Sequence, residues 1–171
     1  QTFLGNDWTW GYSVEQTTDG GYIVTGYTVD TINGSAGIYL LKTDVFGIEQ
    51  WSQIFMGSGR AFGKIVQQTT DGGYIVTGNT KVTLSSNKEL YLLKTDGNGV
   101  EQWSQTFVEN DLTRGSSVEQ TTDGGYIITG EASENFNDQG GDALYLLKTN
   151  ASGIEQWSQT FEGSGSSSGS S

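Results

Sequence analysis

One phrase occurs three times in this chain. Residues 13–26 read SVEQTTDGGYIVTG, residues 65–78 read IVQQTTDGGYIVTG, and residues 117–130 read SVEQTTDGGYIITG. So faithful a repeat constrains the fold more than any other feature, because each copy must form the same local structure and then find a neighbour to cover it. Val14, Val66 and Val118 lie 52 residues apart. The tyrosines opening YLLKT (Tyr39, Tyr91, Tyr145) and the tryptophans of EQWSQ (Trp51, Trp103, Trp157) are spaced by 52 and then 54. The two extra residues of the third copy therefore fall in the variable loop before Tyr145.

Each copy holds four strand-like runs separated by turn signals. In the first copy these are Tyr12 to Thr18, Tyr22 to Thr28, Ile38 to Thr43 and Ile48 to Phe55. The turn Asp19-Gly20-Gly21 supplies the positive φ that a tight hairpin needs, and DVFG (Asp44 to Gly47) makes a second turn. Ile38 and Leu40 face one way and Tyr39 and Leu41 the other, while Tyr22 and Val24 oppose Ile23. Both faces of the small sheet are apolar, so both must be covered. The expected fold is all-β: three β-propeller-type blades, each a four-stranded antiparallel meander stacked on its own copies. Linear stacking into an open solenoid is the alternative.

Three blades do not close a ring of the usual four to eight, so other chains or further repeats are expected to complete a ring or array. The expected partition is the end of a preceding repeat over 1–9, blades over 10–55, 56–107 and 108–161, and a Gly/Ser tail over 162–171 in phase with the start of a further repeat. The chain opens without an initiator Met, which suggests a processed product or a slice of something longer.

Composition limits the chemistry. The chain has no Cys and no His, which removes disulfides, thiolate nucleophiles and every triad that needs an imidazole base. A formal net charge of −12 argues against nucleic acid or an anionic membrane as partner. No apolar run is long enough for a spanning helix, so no membrane insertion is expected.

The phrases QTTDGGYIVTG and YLLKTDGNGVEQWSQTF, with GSG ahead of the second copy, resemble the β-propeller repeats of secreted and cell-surface proteins of archaea, methanogens in particular, and of bacteria. The resemblance covers essentially the whole chain. It implies blades placed outside the cell and carries no catalytic residue across. A more distant similarity to PQQ-type and WD-type blades lacks the WD dipeptide.

Several residues invite a chemical reading. Lys42, Lys94 and Lys148 recur in LLKT, and the expectation is an amphipathic stem with its head on an acid or carbonyl, Glu15 and Glu119 being candidate acids. Asp19, Asp71 and Asp123 are explained by turn geometry, as are Asp44, Asp96 and Asn150. Trp51, Trp103 and Trp157 share a face with Phe55, Phe107 and Phe161, and recurrence favours packing between blades over a sugar platform. Trp8 and Trp10 differ: the other copies have only Phe62 near that phase, so these two are candidates for contact with a ligand or another subunit. Glu134, Asn137, Asp138 and Asp142 form a loose oxygen cluster that would suit calcium, although an acidic solvated loop explains them too. Asn33 and Asn150 head Asn-x-Ser tripeptides of the glycosylation type.

The expected function is a non-catalytic extracellular or cell-surface repeat module for architecture, adhesion or self-assembly, such as a filament or sheath subunit, with other copies of itself as partners. A lectin-like propeller binding glycans is the alternative. A glycosidase would need two carboxylates across a cleft, and every recurrent Asp is already explained by a turn.

Overall fold

The computed structural model describes residues 8–32, 34–57, 59–81, 88–108, 112–133 and 143–162. Among them are twelve strands and no helix. The first sheet comprises β1 (Trp8–Gln16), β2 (Tyr22–Val29), β3 (Ala36–Thr43) and β4 (Glu49–Phe55). The second comprises β5 (Arg60–Gln68), β6 (Tyr74–Lys81), β7 (Glu89–Thr95) and β8 (Glu101–Phe107). The third comprises β9 (Leu112–Gln120), β10 (Tyr126–Ser133), β11 (Ala143–Thr149) and β12 (Glu155–Phe161). Each is an antiparallel meander in sequence order, the blade expected from the repeat.

The turns are set by their own residues. In the first hairpin Gly20 has φ 84°, and the Thr17 and Gly21 backbones close the loop. In the second, the Asp44 carboxylate accepts from the Phe46 and Ile48 N–H groups, each at 2.9 Å. Asn150 plays that part in the third blade, its Oδ1 accepting from Ser152 and Ile154 N–H at 3.0 Å. These side chains serve as turn acceptors, in keeping with the sequence expectation.

One strand departs from expectation. The first run begins at Trp8 rather than Tyr12, because the ladder with β2 continues from Trp8↔Val29 to Gly11↔Gly26 and resumes at Ser13↔Thr25. A β-bulge at Tyr12 shifts the side-chain phase by one residue. The apolar alternation of Trp8 to Gly11 is thus out of step with that of Ser13 to Gln16, which hides the strand from a period-two reading. The same irregularity recurs at Lys64 and Ser116.

The sheets stack face to face, most closely along their first strands: β5 packs against β1, β2 and β3, and β9 against β5, β6 and β7. Ile23, Ile38, Leu40 and Phe55, flanked by Trp51, present one face of the first sheet to Ala61, Val66, Tyr74, Val76, Tyr91 and Leu93 of the second. One repeat on, Ile75, Leu90 and Leu92, flanked by Trp103 and Phe107, meet Val118, Tyr126, Ile128, Tyr145 and Leu147. The alternation of β2 and β3, with Trp51 added from β4, thus sorts into an Ile/Leu/Trp face turned to the following sheet and a Tyr/Val face turned to the preceding one.

Candidate functional site

The recurrent lysines belong to the scaffold. Lys42 Nζ lies 2.9 Å from Asp19 Oδ2 and donates to the Thr43 carbonyl at 2.8 Å and to Gln50 Oε1 at 3.1 Å. Lys94 repeats the arrangement with Asp71, Thr95 and Gln102, and Lys148 with Asp123, Thr149 and Gln156. The acid partner is therefore the turn aspartate, not Glu15 or Glu119. The reason is that the β1–β2 turn folds over the end of β3, so closely that a Cβ on Gly21 would lie 2.2 Å from the Thr43 carbonyl oxygen. Glu15 instead accepts from the Gln68 N–H of the next sheet at 3.4 Å.

These contacts set the turn carboxylates. The Thr17 hydroxyl, then the Lys42 ammonium and the Gly21 N–H, hold Asp19 well below the usual carboxylate range, and Asp123 is held likewise by Thr121, Lys148 and Gly125. Burial pushes Asp71 upward, but Thr69, Lys94 and Gly73 outweigh it and hold this group at about 2. Burial, with the nearby Asp71 charge, raises the Tyr126 phenol to about 12. A lysine satisfied by three acceptors is a structural clamp, its head group committed to the turn and strand it joins.

The stacked faces supply a second kind of site, repeated twice within the chain. Trp51 lies 5.8 Å from Tyr74, and Trp103 lies 5.7 Å from Tyr126. Each indole also covers a turn glycine of the following sheet: a Cβ on Gly99 would lie 2.7 Å from the Trp51 ring, and one on Gly153 would lie 2.5 Å from Trp103. Gln68 Oε1 accepts the Thr18 N–H at 2.8 Å, and Gln120 Oε1 accepts the Thr70 N–H at 2.9 Å. Gly63 and Gly115 are seated against Thr25 and Thr77, where a side chain would collide with the threonine hydroxyl.

At the two ends each half of this interface stands open. Val14 is 65% exposed where Val66 is 2% exposed, and Leu144 is 51% exposed where Leu90 is fully buried. Trp157, Phe161 and Thr129 are exposed on the third sheet, as Tyr22 is on the first, and a Cβ on Gly47 would meet nothing within 4 Å. The recurrent tryptophans therefore act in packing between sheets, with Trp157 left without a following sheet among the described residues.

Trp8 and Trp10 occupy a third region. Trp10 stacks on Tyr27 at 4.7 Å, Tyr27 stacks on Tyr12 at 5.7 Å, and Phe62 meets Tyr27 edge-on at 4.9 Å. Trp8 packs edge-on to Trp10 at 5.8 Å. The repeat phase aligns Trp8, Trp10 and Tyr12 with Arg60, Phe62 and Lys64. Those three stay partly exposed although their sheet has a neighbour on both faces. This aromatic group thus lies beside the first stacking interface, where Phe62 and Lys64 of the second sheet reach Tyr27 and Tyr12 of the first, while Trp8 and Trp10 stay exposed.

The bulge residues Tyr12, Lys64 and Ser116 line one cavity of about 390 Å³, together with Lys88, Arg114 and Glu131. An adjoining cavity of about 300 Å³ shares Tyr12, Lys64 and Lys88 and adds Tyr27, Arg60, Phe62 and Lys81. Residue-by-residue reading of the sequence missed these cations. The available signal was that all lie outside the LLKT motif, Arg60, Lys64 and Arg114 at or just ahead of the first run and Lys81 and Lys88 beside the variable loop, both places where the copies diverge.

Asn150 lies in the β11–β12 turn. Asn33, Glu134, Asn137, Asp138 and Asp142 lie outside the described residues, as do residues 1–7 and 163–171. Among the described residues no three acidic side chains come close enough together to hold a metal ion.

No family model and no curated protein sequence matches the chain. Among solved structures it is similar to a protein of unknown function from Bacteroides caccae, at 11% sequence identity and a TM-score of 0.39, over 89% of this chain and 67% of that one.

Proposed function

We propose that this chain is a non-catalytic extracellular repeat module that works by assembly, in surface architecture or adhesion. The observation carrying this reading is that its two exposed end faces are the two halves of an interface it makes twice internally. The Ile/Leu/Trp face of the third sheet docks on the Tyr/Val face of the first sheet of another copy. Trp157 then covers Gly47 and packs against Tyr22, and Gln16 accepts from Thr122 N–H, as their equivalents do within the chain. Such contacts are head-to-tail, so they close into a ring if the rotation permits and otherwise continue as a filament. Two chains would supply six blades, within the usual range for a propeller. Exposed apolar faces of this kind favour association.

Light scattering coupled to size exclusion tests the reading at micromolar concentration. Wild type is expected to run as a dimer or larger species, and Val14→Glu and Leu144→Glu each to interrupt it. A mixture of the two variants retains one intact pair of faces and is expected to give a one-to-one dimer. A wild-type chain that stays monomeric overturns the proposal. A second reading, a lectin-like module, is favoured by the cluster of Trp8, Trp10 and Tyr12, which are exposed and of a ring type that suits sugar faces.

A further inference from the structure

The chain carries only eight Lys and Arg residues against twenty Asp and Glu. Lys42, Lys94 and Lys148 are held in the clamps. The other five, Arg60, Lys64, Lys81, Lys88 and Arg114, all line the two adjoining cavities at the first-strand side, and Glu131 is the one carboxylate among the lining residues. In a protein of net charge −12, random placement would scatter these cations among acids. Their convergence makes one positive concavity in an otherwise acidic chain.

The backbone aims them. The bulges at Lys64 and Ser116 take those residues out of the regular alternation and turn them into the cavity, a common use of a bulge beside a binding site. The Lys64 ammonium sits 3.8 Å from the centre of the Tyr12 ring, a cation–π contact that holds it in place. Arg60 lies 5.7 Å from the Phe62 ring centre. Arg114 faces Glu131 at 3.7 Å, longer than a charge-assisted hydrogen bond. The Nε atoms of Arg60 and Arg114 are buried with no hydrogen-bond partner. Buried donors left unmet cost free energy, a cost that an oxygen acceptor reaching them would relieve.

We infer that this concavity binds an acidic saccharide, its carboxylate or sulfate oxygens taken by Arg60, Lys64 and Arg114 and an apolar sugar face laid against the Tyr12 and Phe62 rings that line it. The inference rests on the lectin-like reading of the aromatic cluster and names its ligand class. Planar guanidinium groups suit bidentate recognition of such anions. Cavities of about 300–390 Å³ fall at the lower end of small-ligand sites, which suits one or two sugar units. A long polyanion such as nucleic acid would meet repulsion from the rest of the chain.

Calorimetry on the full chain compares trigalacturonate, its trimethyl ester, and tripolyphosphate, after a screen on an array of uronate-bearing, sulfated and neutral oligosaccharides. The expected result is acidic hits on the array, trigalacturonate bound at least about tenfold more tightly than the neutral ester, and that preference fading as salt is raised. Lys64→Gln with Arg60→Gln should abolish the preference, while Phe62→Ala weakens acid and ester alike. Thermal melts establish that each variant is folded. Equal binding of acid and ester overturns the inference and leaves the carbohydrate reading standing. No sugar binding at all overturns both, and tighter binding of tripolyphosphate than of any sugar makes this a phosphate site instead.

Discussion

The second sheet and its two neighbours are near copies in sequence, yet they live in different surroundings. Both faces of the second sheet are covered, and Tyr74, Ile75, Val76, Leu90 and Leu92 are all buried. In the first sheet only the Ile/Leu/Trp face is covered, and in the third only the Tyr/Val face. The same side chain in the same strand position is thus core in one blade and surface in another. The difference separates what a blade makes for itself, namely turns, ladders and Lys–Asp clamps, from what it acquires only by stacking.

The largest expected effect breaks this comparison at one phase position. Leu90→Ala removes a fully buried side chain and should cost about 2–5 kcal/mol. Leu144→Ala, at the equivalent position on the open face, should cost less than about 0.5 kcal/mol in the monomer. Urea unfolding at low protein concentration measures both. Equal losses would mean that the third sheet's outer face is covered in solution even at that dilution.

A smaller effect sharpens the comparison at the turn glycines. Gly47 and Gly99 share positive φ, at 75° and 77°, so alanine at either is expected to cost roughly 1–2 kcal/mol through backbone strain. At Gly99 the Trp51 ring adds a collision, so Gly99→Ala should lower the melting temperature further than Gly47→Ala. Gly47→Ala should instead weaken association, since that glycine is the proposed seat for Trp157 of another copy.

The smallest effect at neutral pH concerns the clamps, which should not distinguish the blades. A carboxylate whose folded pKa is depressed contributes stability that is fully present above its unfolded value and is lost as pH falls through the folded value. For Asp71 that window runs from about 3.8 down to about 2, and for Asp19 and Asp123 it extends lower. Asp19→Asn, Asp71→Asn and Asp123→Asn should each flatten acid unfolding between about pH 4 and 2 to a similar degree. A much larger effect in the second sheet would show that stacking strengthens its clamp.

Much of the fold was legible in the residues. The 52-residue phase, the four runs, the Asp-Gly turns and the two apolar faces are local properties, set by turn geometry and the period-two alternation of a strand. The packing role of Trp51 and Trp103 was readable from their recurrence. The Lys42–Asp19 pair was not, because its partners are 23 residues apart and meet only once the hairpin turn has folded across β3. The β1 segment from Trp8 to Gly11 was missed because a bulge reverses the phase that makes a strand visible.

By itself, then, the sequence determined what each repeat becomes, since hydrogen-bonded turns and alternating side chains depend on residues close along the chain. The tertiary structure alone decided which copies of an identical face are buried, and that five cations from two sheets and an intervening loop end share one concavity. Those outcomes depend on how the sheets stack, which joins residues a full repeat apart. The opening phrase fixes the hairpin wherever it occurs, but only the stack distinguishes its first copy, whose Tyr/Val face is open, from its second, whose faces are both covered.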